Sequence, residues 1–361
     1  MYCIAYRFYS LYIAKYVMQL DPNRLTPAER HNDGLDYVPT HKGVLFGHHF
    51  AAIAGAGPLV SPVLAAQMGY LPGTLWIIFG VVFAGAVQDM MVLFVSMRRD
   101  GKSLGDIVKQ ELGTVPGVIA SIGILMIMVI IMAVLALIVV KALVHSPWGT
   151  FTIAATMPIA LFMGIYTRYI RPGKIGEISI VGFILLMLAV IYGDDVAHSS
   201  IGHWFDLDGI QLTWAIMIYG FVASVLPVWL LLTPRDYLST FLKIGTIVAL
   251  AIGILIVSPA LQMPAVTHFI DGSGPVFSGA LFPFLFITIA CGAVSGFHAL
   301  ISSGTTPKML ENETHVRMIG YGGMLMESFV AIMALAAAAS LDPGVYFAMN
   351  SPAALIGTDA N

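Results

Sequence analysis

Charge is what this sequence has least of. Only 10% of its 361 residues are Asp, Glu, Lys or Arg, where a water-soluble domain carries about 25%. A chain so poor in charge and 58% hydrophobic, with a mean hydropathy of +0.88, cannot cover itself with a water-compatible surface. That excludes an ordinary cytosolic enzyme, a disordered chain and a nucleic-acid binder. Cysteine is nearly absent too. Cys3 and Cys291 stand alone, the second within an apolar run, so neither a disulfide framework nor a thiolate metal site is expected. No GxxxxGKS/T loop is present to cradle phosphates and no HExxH to hold zinc, which disfavours ATP-driven transport and a membrane metalloprotease. The adjacent pair His48 and His49 is a weak metal signal by itself. No polar block separates the apolar runs, and the chain reads as one integral membrane unit.

A bilayer core of about 30 Å takes roughly 20 apolar residues as a helix. Nine runs qualify: 44–68, 73–97, 117–140, 149–167, 176–193, 212–232, 241–258, 281–303 and 319–340. Residues 1–20 are apolar and aromatic but carry Arg7 and Lys15, without the order of basic, apolar and small residues that marks a signal peptide. They read as the later part of a further membrane helix. The expected fold is an all-α polytopic membrane protein of about ten transmembrane helices. Residues 1–20 are a partial helix, 21–43 a cytoplasmic loop, 44–340 the transporter core and 341–361 a truncated periplasmic loop.

Short cytoplasmic loops carry the excess of Lys and Arg. Alternate loops (20–43, 98–116, 168–175, 233–243 and 304–318) hold fourteen such residues, and the opposite loops hold Lys141 alone. The run at 44 therefore starts in the cytoplasm, and the loops at 194–211 and 259–280 face outward. Lys141 reads as a side chain snorkelling to the headgroups.

The run VLFGHHFAAIAGAGPLVSPVLAAQ holds Gly55, Gly57, Pro58 and Pro62 near its middle. Glycine weakens a helix, and proline removes a backbone donor. In lipid the freed carbonyls survive only where they face protein or a water-filled cavity. Broken helices of this kind form substrate and ion sites in secondary transporters, so Gly55, Ala56, Gly57 and Pro58 are candidate substrate-binding positions. Five spans onward, Pro227 interrupts WAIMIYGFVASVLPVWLLL. An odd count makes the two segments antiparallel, which is the geometry of an inverted repeat. The third informative run, FPFLFITIACGAVSGFHALISSG, presents Gly292, Ser295 and Gly296 at near-helical spacing, followed by Ser302 and Ser303. Tight helix packing and a site are both open for it: Ser295 could meet substrate, and Ser302 and Ser303 could bind an ion.

Ionisable groups inside a span cost several kcal/mol unless paired and are functional candidates by default. Asp89 lies about 13 Å and Glu327 about 12 Å inside their spans at 1.5 Å per residue. His48, His49 and His298 lie at comparable depth on the runs just described. These five can form a proton path, because a buried carboxylate or an imidazole can load and release a proton within a transport cycle. The bland alternative is that each is neutralised by a neighbour and only holds structure.

The block HNDGLDYVPTHKGVLFGHHFAAIAGAGPLVSPVLAAQMGYLPG resembles the carbon starvation protein A (CstA) family of bacterial inner membrane transporters. The resemblance continues through GAVQDMMVLFVSMRRDGKSLGD, PIALFMGIYTRYIRPGKIGE, LPVWLLLTPRDYLSTFLKIG and FPFLFITIACGAVSGFHALISSGTTPK, and covers almost all of the chain. It implies uptake of small carbon and nitrogen sources during carbon starvation, by peptide transport or by proton-coupled pyruvate symport. It also implies a five-plus-five, LeuT-like inverted repeat. Members of the family are about twice this length, so the chain is expected to be a fragment. The loop HNDGLDYVPT, with Asn32, Asp33, Asp36 and Tyr37, looks like a family signature that serves as a gate or an anchoring turn.

The reading that results is a secondary active transporter, not an enzyme, in the bacterial inner membrane. Its partners are the lipid bilayer and a pyruvate-like carboxylate or, alternatively, a di- or tripeptide, with no nucleic acid. No cofactor is expected. The coupling ion is H+, with Na+ open.

Overall fold

The computed structural model describes residues 1–352 and Leu355, and it is all-helical, with no β-strand among the described residues. Residues 2–17 form helix α1. The first apolar run is divided into α2 (Lys42–Ile53) and α3 (Gly57–Met68), bent by 44° at the break. Next come α4 (Tyr70–Arg98), the short amphipathic α5 (Leu104–Leu112), α6 (Thr114–Leu143), α7 (Pro147–Ile170) and α8 (Ile175–Ala197). After them come α9 (Gly209–Val225) and α10 (Leu232–Val257). The run at 281–303 is divided as well, into an irregular helical stretch α11 (281–293) and the half-helix α12 (Gly296–Gly304). Helix α13 (Arg317–Ala339) and the short α14 (Pro343–Asn350) follow. Among the described residues six helices are long and apolar enough to cross a membrane, or seven if the bent pair counts as one span. Of the expected outward loop 341–361, the part from Pro343 to Asn350 is helical, and 353–354 and 356–361 lie outside the described residues.

Sequence chemistry accounts for the first break. Pro58 sits in the first turn of α3, where a missing N–H removes no helical bond. The N–H of Gly55 turns back to the carbonyl of Ile53 and does not continue the ladder of α2. At the second break Val294 and Ser295 are extended.

The expected mid-span break at Pro227 is corrected. Helix α9 ends at Val225, Leu226 is extended as a residue before proline must be, and Pro227 lies in the connection to α10. The charged stretch 233–243 is not a loop either. Helix α10 already begins at Leu232, with Pro234 tolerated in its first turn, and carries Arg235, Asp236 and Lys243 along its length.

The two broken helices run antiparallel and side by side. At one end Thr40, just before α2, donates its N–H to Met309, just after α12, at 3.0 Å. At the other end Gln67 at the close of α3 donates to the carbonyl of Phe277, ahead of α11, at 2.8 Å. Between them a Cβ placed on Gly57 would lie 2.6 Å from Cys291 Sγ, so the two breaks meet with no room for a side chain. Helix α4 closes in from another side, where a Cβ on Gly85 would stand 2.0 Å from the Ala293 carbonyl oxygen. Leu45, Val82, Leu93, Met97, Ile319 and Met324 form the buried apolar cluster around this junction.

Candidate functional site: a buried ionisable cluster at the second break

His298 sits two residues into α12 and is fully buried. Its Nδ1 lies 3.0 Å from Asp89 Oδ2 on α4, and its Nε2 lies 2.9 Å from Glu327 Oε2 on α13. Both carboxylates have no solvent exposure. Helices α4 and α13 each carry a π-helical turn shortly before the carboxylate, at Val81–Gly85 and Arg317–Tyr321, a local widening that recurs at functional sites. Cys291, on α11, points its Sγ at Glu327 Oε1 over 3.4 Å.

The charge of this cluster follows from the donor inventory. A neutral imidazole donates from one nitrogen only, so His298 satisfies both carboxylates as donor only when it is the imidazolium. One cation between two carboxylates leaves a net charge of −1 in a buried place. One further proton on either carboxyl makes the cluster neutral. Proton gain and loss at this point therefore change a buried charge, which no surrounding dielectric can screen well.

The other sequence candidates divide between this cluster and its surroundings. His49 is buried on α2 and meets Thr306 Oγ1, just beyond α12, at 2.8 Å. His48 turns to the opposite side, where its Nδ1 is 3.0 Å from Asp236 Oδ2 on α10. Ser295 stands at the second break, and its carbonyl accepts from Gln88 Nε2 on α4 at 2.5 Å. Ser303 Oγ donates to Ala299 O within its own helix, whereas Ser302 Oγ is buried with no hydrogen-bond partner among the described residues. Gly55, Ala56, Gly57 and Pro58 form the first break, and Gly55 and Ala56 line a cavity of about 490 Å³ with Phe50, Leu59, Lys243 and Thr246. Pro227 belongs to neither break. Its neighbours Val228 and Trp229 hydrogen-bond Leu35 and Gly34.

Sequence reasoning missed four participants. Asp236 and Lys243 were assigned to a loop, although they fall at helical spacing with Thr240. Gln88 stands next to Asp89 and went unremarked as a polar residue in an apolar run. Cys291 was set aside as a lone thiol, yet Cys291, His298 and Glu327 each offer a donor atom within 4.8 Å of the others, a group that could hold a metal ion. Their separations of 7 and 29 positions match no familiar ligand spacing, and in the structure His298 Nε2 and Glu327 Oε2 stand at ion-pair distance, 2.9 Å apart.

The signature loop is tied down by its own hydrogen bonds and by contacts to Asp100 and Lys308. The Asp33 carboxylate accepts from the N–H groups of Leu35, Asp36 and Tyr37 at 2.8, 3.0 and 3.0 Å. Desolvation pushes this carboxyl upward, but the hydrogen bonds prevail and hold it below the usual carboxylate range. Tyr37 in turn donates to the Asp100 carbonyl at 2.9 Å and lies under Lys308.

Fold and site together define a multi-pass helical membrane protein in which two antiparallel broken helices meet at a buried ionisable cluster. A family model described as "Carbon starvation protein CstA" matches residues 1–361, and the chain belongs to that family. It is 72% identical over 356 residues to the "Peptide transporter CstA" of Escherichia coli (strain K12), covering 98% of this chain and 51% of that protein. It is 66% identical over 357 residues to the "Pyruvate/proton symporter BtsT" of the same organism, covering 99% of this chain and 50% of that protein. With the "Peptide transporter CstA" of Bacillus subtilis (strain 168) it shares 50% over 348 residues, covering 96% and 58%. The chain thus spans about half the length of the curated relatives it matches. No solved structure matches it.

Proposed function

We propose that the protein is a proton-coupled secondary transporter of the bacterial inner membrane that imports small carboxylates of the pyruvate type during carbon starvation. The observation that carries this reading is His298 held between Asp89 and Glu327 beside a helix break, a buried group whose charge changes by one with each proton. A half-helix that starts at a break offers exposed N–H groups and a partial positive charge, which suit a carboxylate. The name of one relative, a pyruvate/proton symporter, agrees with both parts of the proposal. The coupling ion in this reading is H+, and no organic cofactor takes part.

Import of di- or tripeptides on the same scaffold is the second reading, favoured by the names of the other relatives. A peptide's amino group would need an anionic partner, and Asp89 or Glu327 could supply one. We further propose an inverted-repeat core of about ten helices. Its support is the antiparallel pairing of the two broken helices. The five-plus-five, LeuT-like register drew on Pro227, which lies outside both breaks; the two breaks fall seven apolar runs apart and support an antiparallel repeat without that spacing.

The test is uptake into liposomes under an imposed pH gradient, with labelled pyruvate and a labelled dipeptide in parallel. Pyruvate uptake that depends on the gradient, and that is lost in Asp89→Asn and Glu327→Gln, is the expected result. Uptake of the dipeptide alone would select the second reading, and uptake of neither would remove both.

A further inference from the structure

Lys243 lies eleven residues into α10, about 16 Å along it at 1.5 Å per residue. A stripe of α10 at helical spacing faces α2. Asp236 meets His48, Thr240 Oγ1 donates to Gly47 O at 2.7 Å, and Lys243 Nζ donates to Ala51 O at 2.7 Å and Ala54 O at 2.9 Å. The last two acceptors are the carbonyls that the first break strands. The N–H that would continue the ladder to Ala51 belongs to Gly55 and bonds Ile53, and the one that would reach Ala54 is missing because residue 58 is proline.

Unwound carbonyls at the C-terminal end of a half-helix are where secondary transporters coordinate a coupling cation, since the dipole is negative there. Here a tethered ammonium fills that place. It differs from the His298 cluster in one respect that matters. No carboxylate lies within ion-pair distance of Lys243 among the described residues, so its two ligands are neutral and loss of its proton strands no paired anion. The charged and titratable groups that face it are Asp236 and Arg235 on its own helix, His48 on α2 and Glu327 on α13. An ammonium has three donors. With two on the carbonyls, one remains for the cavity of about 490 Å³ that Lys243 lines.

We propose that Lys243 is the built-in cation of the first break, standing where a sodium-coupled carrier would hold its ion, so that transport needs no sodium and release of the Lys243 proton loosens the hold of α10 on the end of α2. The inference rests on the transporter reading above and adds to it a residue and an answer to which ion is used.

The experiment follows labelled pyruvate in vesicles in two modes, accumulation driven by a pH gradient and exchange against internal pyruvate, with and without sodium. The native protein is expected to accumulate equally in both buffers. Lys243→Arg keeps a cation on the two carbonyls but cannot release its proton, so accumulation should fall relative to exchange by roughly tenfold or more. Lys243→Gln carries no charge and should show the same fall in that ratio, which covers the case of an arginine variant that does not fold. A native ratio in either variant overturns the proposal, as does a sodium requirement in the native protein. Absence of exchange in the native protein would instead overturn the transporter reading itself.

Discussion

Helices α6 and α13 are both long and apolar enough to cross a membrane, yet they are opposites. Helix α6 has a mean hydropathy of 3.3 in its most apolar window, none of which is buried inside the protein, whereas α13 scores 1.7 and is 61% buried. In water the more hydrophobic helix would be the interior one. In a bilayer the lipid solvates an apolar surface as well as any protein core does, and what must be sheltered is the polar group and the small residue that lets backbones approach. Helix α13 supplies both, with Glu327 and Ser328 fully buried and an Ala-rich face. Of these two helices, the less hydrophobic one is the one buried in the protein.

That contrast can be broken experimentally. The largest effect is expected at the cluster: His298→Ala leaves two buried carboxylates facing an empty space, which costs about 3–5 kcal/mol and should abolish gradient-driven uptake. Thermal unfolding in detergent and the uptake assay read the two parts separately. Next comes an ordinary core position. Leu93→Ala, fully buried on α4, should lower stability by about 2–5 kcal/mol. Gly57→Ala forces a methyl against Cys291 Sγ, and overpacking of this sort costs about 1–3 kcal/mol. Smaller still is the effect at the signature loop. Because the folded Asp33 carboxyl titrates below its unfolded value, its contribution is complete above that unfolded value, near pH 4, and fades as the pH falls through the lowered one. Asp33→Asn should raise the rate at which protease nicks the 31–40 loop at neutral pH, and the native loop should approach that rate only in acid. The smallest change belongs to α6: Leu125→Ala, on a side chain that is 61% exposed, should stay within about 0.5 kcal/mol of the native stability. A loss at Leu125 equal to that at Leu93 would end the comparison.

The same contrast decides what was legible in the sequence. Apolar runs mark where the long helices lie, and Gly-Pro clustering marks the first break at residues 55–58. Pro227 misled because a proline in an apolar run signals equally a kink and the end of a helix, and only the room available for the 226–231 connection decides between them. The second break was overlooked as a break for the converse reason. Val294 and Ser295 are not helix breakers, and they are held extended by tertiary contacts such as Gln88 on Ser295. Asp89, His298 and Glu327 could be singled out one at a time as costly residues in lipid. That they form one cluster depends on three helices far apart in the chain, and no local pattern encodes such a meeting. Lys243 was misplaced because three charges in nine residues look like a loop until a partner helix offers His48 to Asp236 and two carbonyls to Lys243.

The distance in the chain between Asp89 and His298 has a consequence for biogenesis. The two are 209 residues apart. At a translation rate of 5–20 residues per second, α4 stands in the membrane for about 10–40 s before its histidine has been made. Throughout that interval the aspartate must be carried either as the uncharged acid or in the keeping of the insertion machinery. The wait ends only when α12, too short to span a bilayer unaided, is drawn in beside it. Helices α12 and α13 therefore do more than lengthen the bundle, because they turn an early, unfavourable residue into the centre of a buried cluster.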